Sequence, residues 1–330
     1  MNMKLATIEK IEEVFQHPNA DKLELCKILG YQCVVPIGKY KAGDIIVFIQ
    51  PDTCLPKDQP WAEEYLQYAP KRIKAIKLRK EWSEGLVVPL DKWGQIMDHI
   101  DETDIGLDVA EAIGVVKYDP PLPKDIQATG GLPYQMCKTD EERWENLGDK
   151  IPYGERGDAS LKIDGQSSTH FYNVEEDKYG VTGRRFEVSA DDENRYSVHV
   201  PKLKDKIIEY CKKHNVSLAF RGESYGNGIQ ASKNNIHSSK PHNIAIYSIW
   251  NIKERRYEEK GSEHYYVKVC KELGIETVPM IEEDVIITQE LIDNYSKELK
   301  KLNGFPFEGI VIKHANGSFK IINKHYDANK

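Results

Sequence analysis

Lys162-Ile163-Asp164-Gly165, at the end of a β-rich run, is the stretch of this chain best suited to covalent chemistry. A lysine amine becomes a nucleophile only after losing its proton, which calls for burial, a cationic neighbour or a metal ion. A carboxylate two residues on, followed by a permissive glycine, suits a strand that turns too close to a bound ligand for a side chain to fit. The plainer reading of the same four residues is an exposed lysine before a β-turn, and the pattern alone leaves both open.

The pattern has company. Gly183-Arg184-Arg185 follows a predicted strand, and Phe220-Arg221-Gly222-Glu223-Ser224-Tyr225-Gly226 closes another. Tyr247-Ser248-Ile249-Trp250-Asn251-Ile252 is aromatic. Phe307-Glu308-Gly309-Ile310-Val311-Ile312-Lys313 and Ser318-Phe319-Lys320-Ile321-Ile322-Asn323-Lys324 complete the set. In this order and spacing, over about residues 155–326, they resemble the covalent nucleotidyltransferases: RNA ligases, DNA ligases and mRNA capping enzymes.

The resemblance implies that Lys162 attacks the α-phosphate of ATP, becomes lysyl-AMP and releases pyrophosphate. It implies a divalent cation, Mg2+ or Mn2+, held by Asp164 and Glu308; Glu223 would join the metal shell or bind the ribose hydroxyls. Arg184 would grip a ribose or phosphate, with Arg185 the alternative register. Trp250 would stack on adenine, with Tyr247 its rival, and core packing is the plain reading of Trp250. Lys320 would meet the α-phosphate, and Lys324 is either a second contact or a solvated tail residue. Leu161 stands where many relatives carry glutamate, which leaves nucleotide recognition there to backbone groups. Ile322 replaces the second lysine of the last motif.

The elements that must position these residues are legible from periodicity. Strands are expected at 159–163, 168–174, 180–188, 217–224, 244–252, 309–313 and 318–322, and helices at 201–213, 264–273 and 289–302. The last helix is expected from Leu291, Ile292, Tyr295, Leu299 and Leu302 behind a Thr288 cap. Ahead of them, short runs at 25–29, 32–36, 45–49 and 85–89, punctuated by Gly, Pro and Asp, predict a small barrel or sandwich. Asp119-Pro120-Pro121-Leu122-Pro123 and Thr129-Gly130-Gly131-Leu132-Pro133 mark a connection. The expected division is therefore 1–115 as a barrel, 116–157 as linker and start of the second domain, and 158–330 as the nucleotidyltransferase. The fold class is α+β, an N-terminal OB-fold followed by antiparallel sheets flanked by helices.

His17-Pro18-Asn19-Ala20-Asp21-Lys22-Leu23-Glu24, with Gly38 and Gly43-Asp44, looks like the oligonucleotide-binding fold of tRNA-binding domains. A barrel ahead of a minimal ligase core is similar to the Naegleria-type RNA ligases, and Cys137-Lys138-Thr139-Asp140-Glu141-Glu142-Arg143 also resembles RNA ligases. That likeness implies sealing of 3'-OH and 5'-phosphate RNA ends, with nicks in duplex RNA favoured. Lys71, Arg72, Lys74, Lys77, Arg79 and Lys80 place six basic residues within ten, which reads either as a solvated face or as a patch that tracks phosphates. A DNA ligase, a capping guanylyltransferase and a non-catalytic tRNA- or RNA-binding scaffold are the competing readings. ATP against GTP and RNA nicks against DNA nicks separate the first two from an RNA ligase; the set of Lys162, Asp164, Glu223, Glu308 and Lys320 argues against the scaffold.

Bulk properties fit such an enzyme. The 330 residues carry a net charge of −7, which argues against coating nucleic acid by bulk attraction yet allows a local basic face. Six scattered cysteines without a C-x-x-C pair disfavour a zinc site or a disulfide framework and fit a reducing, cytoplasmic compartment, with the nucleus also open. There is no apolar run long enough to cross a membrane and no secretory core at the N-terminus. A monomer is expected.

Overall fold

The structure is a computed structural model that describes residues 4–118, 126–192, 194–231, 234–298, 300–302 and 304–327. It divides into two compact units, Met1–Pro121 with Glu142–Ile151, and Leu122–Glu141 with Pro152–Lys330. The division is not a single cut: residues 142–151, expected within a linker, belong to the first unit. The proline run 119–123 lies outside the described residues. No helix among the described residues is long and apolar enough to cross a membrane.

The first unit is built from β1 (Ala6–Lys10), β2 (Glu13–Gln16), β3 (Leu23–Ile28), β4 (Tyr31–Pro36), β5 (Ile45–Ile49), β6 (Ala75–Leu78), β7 (Glu81–Glu84) and β8 (Leu86–Pro89). Antiparallel sheets run β1-β5-β8 and β2-β3-β4, and β6 pairs with β7 as a hairpin. The unbroken apolar run of β5 follows from its place between two cores. Val47 and Ile49 pack with Ile8, Val88 and Trp61, while Ile46 and Phe48 pack with Cys26, Tyr31 and Val87. The expected strands are present within a residue or two; β1, β2, β6 and β7 are additional.

The second unit adds β9 (Ala128–Gly131), β10 (Arg156–Lys162), β11 (Gln166–Asn173), β12 (Lys178–Thr182), β13 (Phe186–Val188), α1 (Val200–His214), β14 (Leu218–Tyr225), β15 (Asn243–Asn251), β16 (Arg256–Tyr257), α2 (Tyr266–Leu273), β17 (Met280–Ile286), α3 (Gln289–Ser296), β18 (Gly309–His314) and β19 (Gly317–Ile322). One seven-stranded antiparallel sheet has the order β9-β13-β12-β11-β14-β15-β16. The second sheet runs β19-β18-β10-β17, again antiparallel. Leu203, Ile207 and Tyr210 of α1 and Tyr266, Val269 and Cys270 of α2 cover one face of the seven-stranded sheet, over Tyr172, Leu218, Phe220, Ile244, Ile246 and Ile249. Because strand side chains alternate, Ser167, Thr169, Arg221 and Glu223 point to the opposite face.

Two elements differ from expectation. The run 180–188 is two strands, broken by a turn that carries Arg184. The helix from Gln289 stops at Ser296 instead of 302, and Leu302 belongs to the short strand Lys301–Leu302, paired with Phe305–Pro306. Asn323 accounts for the early stop: its Nδ2 donates to the carbonyls of Tyr295 (3.2 Å) and Glu298, which otherwise require another helical turn. Leu299 lies outside the described residues.

Candidate active site

Lys162 is the last residue of β10, and the period-two rule fixes what stands beside it. Leu161 and Ala159 are buried in the core, so Ser160 and Lys162 point to the other face. Across the ladder Lys162 pairs with Gly309 and Gly309 with Ile322, while Ser160 pairs with Val311 and Val311 with Lys320. Lys320 therefore shares the face of Lys162. Ile322, where relatives carry a lysine, sits one ladder step beyond Gly309. Leu161, where nucleotide recognition was expected to rest on backbone groups, has its side chain buried on the core side, and its N–H donates to the Pro279 carbonyl at 2.8 Å.

The carboxylates converge on the lysine. Lys162 Nζ donates to Glu308 Oε2 at 2.6 Å, with side chains only 26% and 11% exposed. Asp164, in the loop after β10, is buried; it accepts a hydrogen bond from Tyr326 Oη at 2.9 Å, and its main-chain carbonyl accepts one from Asn235 Nδ2 at 2.7 Å. Glu223 lies on the site face of β14 and is bonded by the Gly165 N–H. Gly165 admits no Cβ, which would collide with the Ser224 carbonyl oxygen. Gly309 is equally confined, by the Ile321 carbonyl.

Burial and crowding govern the protonation of this group. Burial pushes the Glu223 carboxyl up to about 8; Lys162 opposes the rise, and Glu308 and Asp164 reinforce it. For Lys162, burial alone would favour the neutral amine, but Glu308, Glu223 and Asp164 together outweigh it and hold the ammonium above its ordinary range. The lysine is thus a paired cation among carboxylates whose charge it only partly cancels. Oxygen donors crowded in this way fit a hard divalent cation.

The two aromatic candidates separate. Trp250 is buried with Met136, Phe171, Ala219 and Ile252, its ring edge-on to Tyr257 at 5.0 Å, which matches the core-packing reading. Tyr247 is the extra residue of a bulge in β15: Arg221 pairs with Ser248 and Gly222 with Ile246, leaving Tyr247 between them. Bulges re-aim side chains beside active sites. Tyr247 is accordingly set beside Glu223, Arg221 and the Ser167 and Thr139 hydroxyls, which are 2.6 Å apart.

Cys137, Thr139, Asp140 and Glu141 are each tied to this unit. Arg221 Nη2 donates to the Cys137 carbonyl at 2.5 Å, and Thr139 meets Ser167. Asp140 Oδ2 accepts from Arg184 Nη2 at 2.5 Å and Nε at 3.1 Å, and Glu141 accepts from Ser318. Arg184 is thus ion-paired across to this segment. Lys324 opens a helical turn, Lys324–Asp327, from which Tyr326 reaches Asp164.

Sequence reasoning gave no role to Arg221, Lys313, Asn235 or Tyr326. Arg221 is 1% exposed, lies over the rings of both Trp250 and Tyr257 at 5.5 and 5.4 Å, and makes no ion pair among the described residues. Lys313 donates to the Tyr247 carbonyl and sits over the Tyr266 ring at 4.7 Å; burial lowers its pKa to about 8 against the pull of Glu141 and Asp158. Arg221 and Lys313 lie inside motifs already quoted, and strand alternation would have put both on the site side. Nothing local in the sequence marks Asn235 or Tyr326.

The basic cluster belongs to the first unit. Arg79 and Lys80 form the two-residue turn of the β6–β7 hairpin, both at positive φ (48° and 79°). Lys77 lies over the Trp82 ring at 4.9 Å; Arg72 lies over Tyr118 at 4.5 Å and pairs with Asp52 at 3.2 Å. Of the apolar residues interleaved in this stretch, Ile73 is buried whereas Ile76 and Leu78 are exposed. Lys71, Arg72 and Lys74 line a groove of about 810 Å3 together with Tyr40, Tyr65 and Tyr68.

A family model described as RNA ligase matches residues 159–325, and one described as an OB-fold domain matches residues 5–90. No curated protein matches the chain. Among solved structures, the chain is similar to a variant of Naegleria gruberi RNA ligase with AMP and Mn, at a TM-score of 0.83 and 25% identity over 99% of both chains. It is similar to that organism's RNA ligase with PPi at 0.82 and 27%, over 98% of both chains. Against a variant with ATP and Mn the values are 0.82 and 26%, over 99% of both chains.

Proposed function

The chain belongs to the RNA ligase family, and from that premise we propose that it uses ATP to seal 3'-OH and 5'-phosphate RNA ends through a lysyl-AMP intermediate on Lys162. The observation that carries the reading is the cluster of Lys162, Glu308, Glu223 and Asp164, with Lys320 on the same sheet face. A scaffold that only held RNA would gain nothing from so costly a burial of like charges.

Lys162 Nζ attacks the α-phosphorus of ATP, the bond to the pyrophosphate oxygen breaks, and pyrophosphate leaves. Asp164, Glu308 and Glu223 would hold the divalent cation, Mn2+ or Mg2+; when bound, it supplies positive charge that offsets the carboxylates, favours the neutral lysine and draws charge from the phosphate. Tyr326 and Asn235 keep Asp164 oriented for that task. Lys320 offsets charge that grows on the α-phosphate. Tyr247 serves as the stacking platform for adenine in place of Trp250. Arg184, once released from Asp140, is the grip on ribose or the RNA end.

AMP then passes to the RNA 5'-phosphate, and the 3'-OH displaces it to form the phosphodiester. Nicked duplex is the proposed substrate; the groove and the hairpin with Lys71, Arg72, Lys74, Lys77, Arg79 and Lys80 would follow its backbone, reading A-form shape and not sequence. The enzyme acts as a monomer. Six free cysteines suit a reducing, cytoplasmic setting.

The test is incubation with α-labelled ATP and a divalent metal, without RNA, beside Lys162→Ala. Label that survives denaturation on the wild type alone supports the proposal. Absence of label with ATP, GTP and NAD would remove it and leave RNA binding as the activity.

A further inference from the structure

On the helix-covered side of the seven-stranded sheet, away from Glu223, His214 ends α1, and Glu263 and His264 lie in the turn before α2. We propose that these three side chains form a second metal site, one that takes a transition-metal ion such as Zn2+ and staples the end of α1 to that turn.

One ligand atom from each lies within 4.8 Å of the other two. His214 Nδ1 is 3.3 Å from Glu263 Oε1, and the two imidazoles meet edge-on at 5.6 Å. A tetrahedral zinc site wants its donors roughly 3.4 Å apart, as bonds near 2.0–2.1 Å require. The wider spacing therefore involves His264, and small side-chain movements, among them one of Glu263, whose side chain is 66% exposed, would close it.

Tyr210 holds both rings in place. Its ring stacks on His214 at 4.4 Å, and its hydroxyl is 3.0 Å from His264 Nδ1. A ligating histidine characteristically has its second nitrogen engaged in this way, which leaves Nε2 of His264 for an ion. His214 turns Nδ1 toward Glu263 Oε1, so this nitrogen is the one it offers to an ion.

The charge environment agrees. His214 stands in the last turn of α1, where the helix dipole favours a cation. The neighbouring cations are already committed elsewhere: Lys212 pairs with Asp177 at 2.9 Å, and Lys213 with Glu272 at 3.2 Å. Two imidazoles and one carboxylate, with water completing the shell, suit Zn2+, Co2+ or Ni2+, whereas the all-oxygen cluster at Lys162 suits Mg2+ or Mn2+.

The test uses the full chain with its thiols alkylated, in excess MgCl2 to fill the carboxylate cluster, titrated with ZnCl2 by calorimetry and with CoCl2 by visible absorption. The expected result is one equivalent of tight ion and a rise in Tm with ZnCl2. Both are lost in His264→Ala, weakened in Glu263→Gln and retained in Asp164→Asn. Unchanged binding in His264→Ala, loss in Asp164→Asn instead, or no tight ion on the wild type overturns the proposal. None of these readouts depends on ligase activity, so the site can fail while the ligase reading stands, and the reverse.

Discussion

Two groups of cations in this molecule sit in opposite physical circumstances. Arg79 and Lys80 occupy an exposed hairpin turn, with solvent to screen them. Lys162 is three-quarters covered, within a knot of three carboxylates, and Arg221 is covered entirely. An exposed charge contributes little alone and acts by number, since each neutralised phosphate adds a similar increment. A covered charge acts singly, because removing it strands its partners where water cannot replace it. The contrast predicts that single substitutions matter in the second unit and multiple ones in the first.

The largest effect is expected at Lys162: Lys162→Ala abolishes self-adenylylation, and Glu308→Ala slows it by about 100-fold or more, as loss of a preorganised charge does. Single-turnover label transfer checks both, and a Glu308→Ala enzyme within threefold of wild type would break the contrast at its strong end.

Next comes Arg221, which touches no reacting atom in the proposed mechanism but anchors Cys137 and the tied segment after it. Arg221→Lys is expected to cost on the order of 10- to 100-fold in kcat/KM for ATP, the scale at which misplacement by an ångström is felt. Sealing of pre-adenylylated RNA should suffer far less. Equal losses in both reactions would mean a general packing defect.

Buried neutral histidines give the third effect. Burial holds His170 down at about 3, helped slightly by His199, and His199 down at about 4, with His242 and Lys202 contributing. Both folded values lie below the unfolded one, so the stability concerned is present above about pH 6.5 and is lost as pH falls toward 4. Each histidine contributes a slope of about 1.4 kcal/mol per pH unit within that window. Urea titrations at pH 7, 6 and 5 measure it, and a flat profile would refute the buried-neutral assignment.

The smallest effect is on the hairpin. Lys77→Ala or Lys80→Ala alone should change RNA affinity by about twofold, within the usual range of a solvated charge. Replacing all six basic residues should flatten the salt dependence of binding by about 0.9 in slope for each phosphate no longer neutralised. A single lysine that carried most of the affinity would erase the distinction between the two regions.

What was legible in the sequence follows the same division between local and distant causes. Strand positions around Lys162, Glu223 and Glu308 could be read because alternation and confined glycines are local properties. β17 escaped notice because Glu282-Glu283-Asp284 interrupts its apolar character; as an edge strand its middle is exposed, and charge there is tolerated. The overlong helix after Thr288 followed from real periodicity that Asn323, some thirty positions on, overrides. The bulge that aims Tyr247 and the contacts of Tyr326 and Asn235 with Asp164 depend on distant pairing, which a linear pattern does not contain.

The hydrogen bond from Tyr326 to Asp164 also orders events during synthesis. Eight strands of the first unit lie within the first ninety residues and can pair soon after they emerge. β10 must wait for β18, made about 150 residues later, and Asp164 waits longer still for Tyr326, 162 positions away. A ribosome-bound chain stopped short of residue 326 therefore carries a formed barrel beside an unfinished nucleophile. If the proposed RNA-binding role of the barrel holds, such a chain would capture RNA before it could spend ATP.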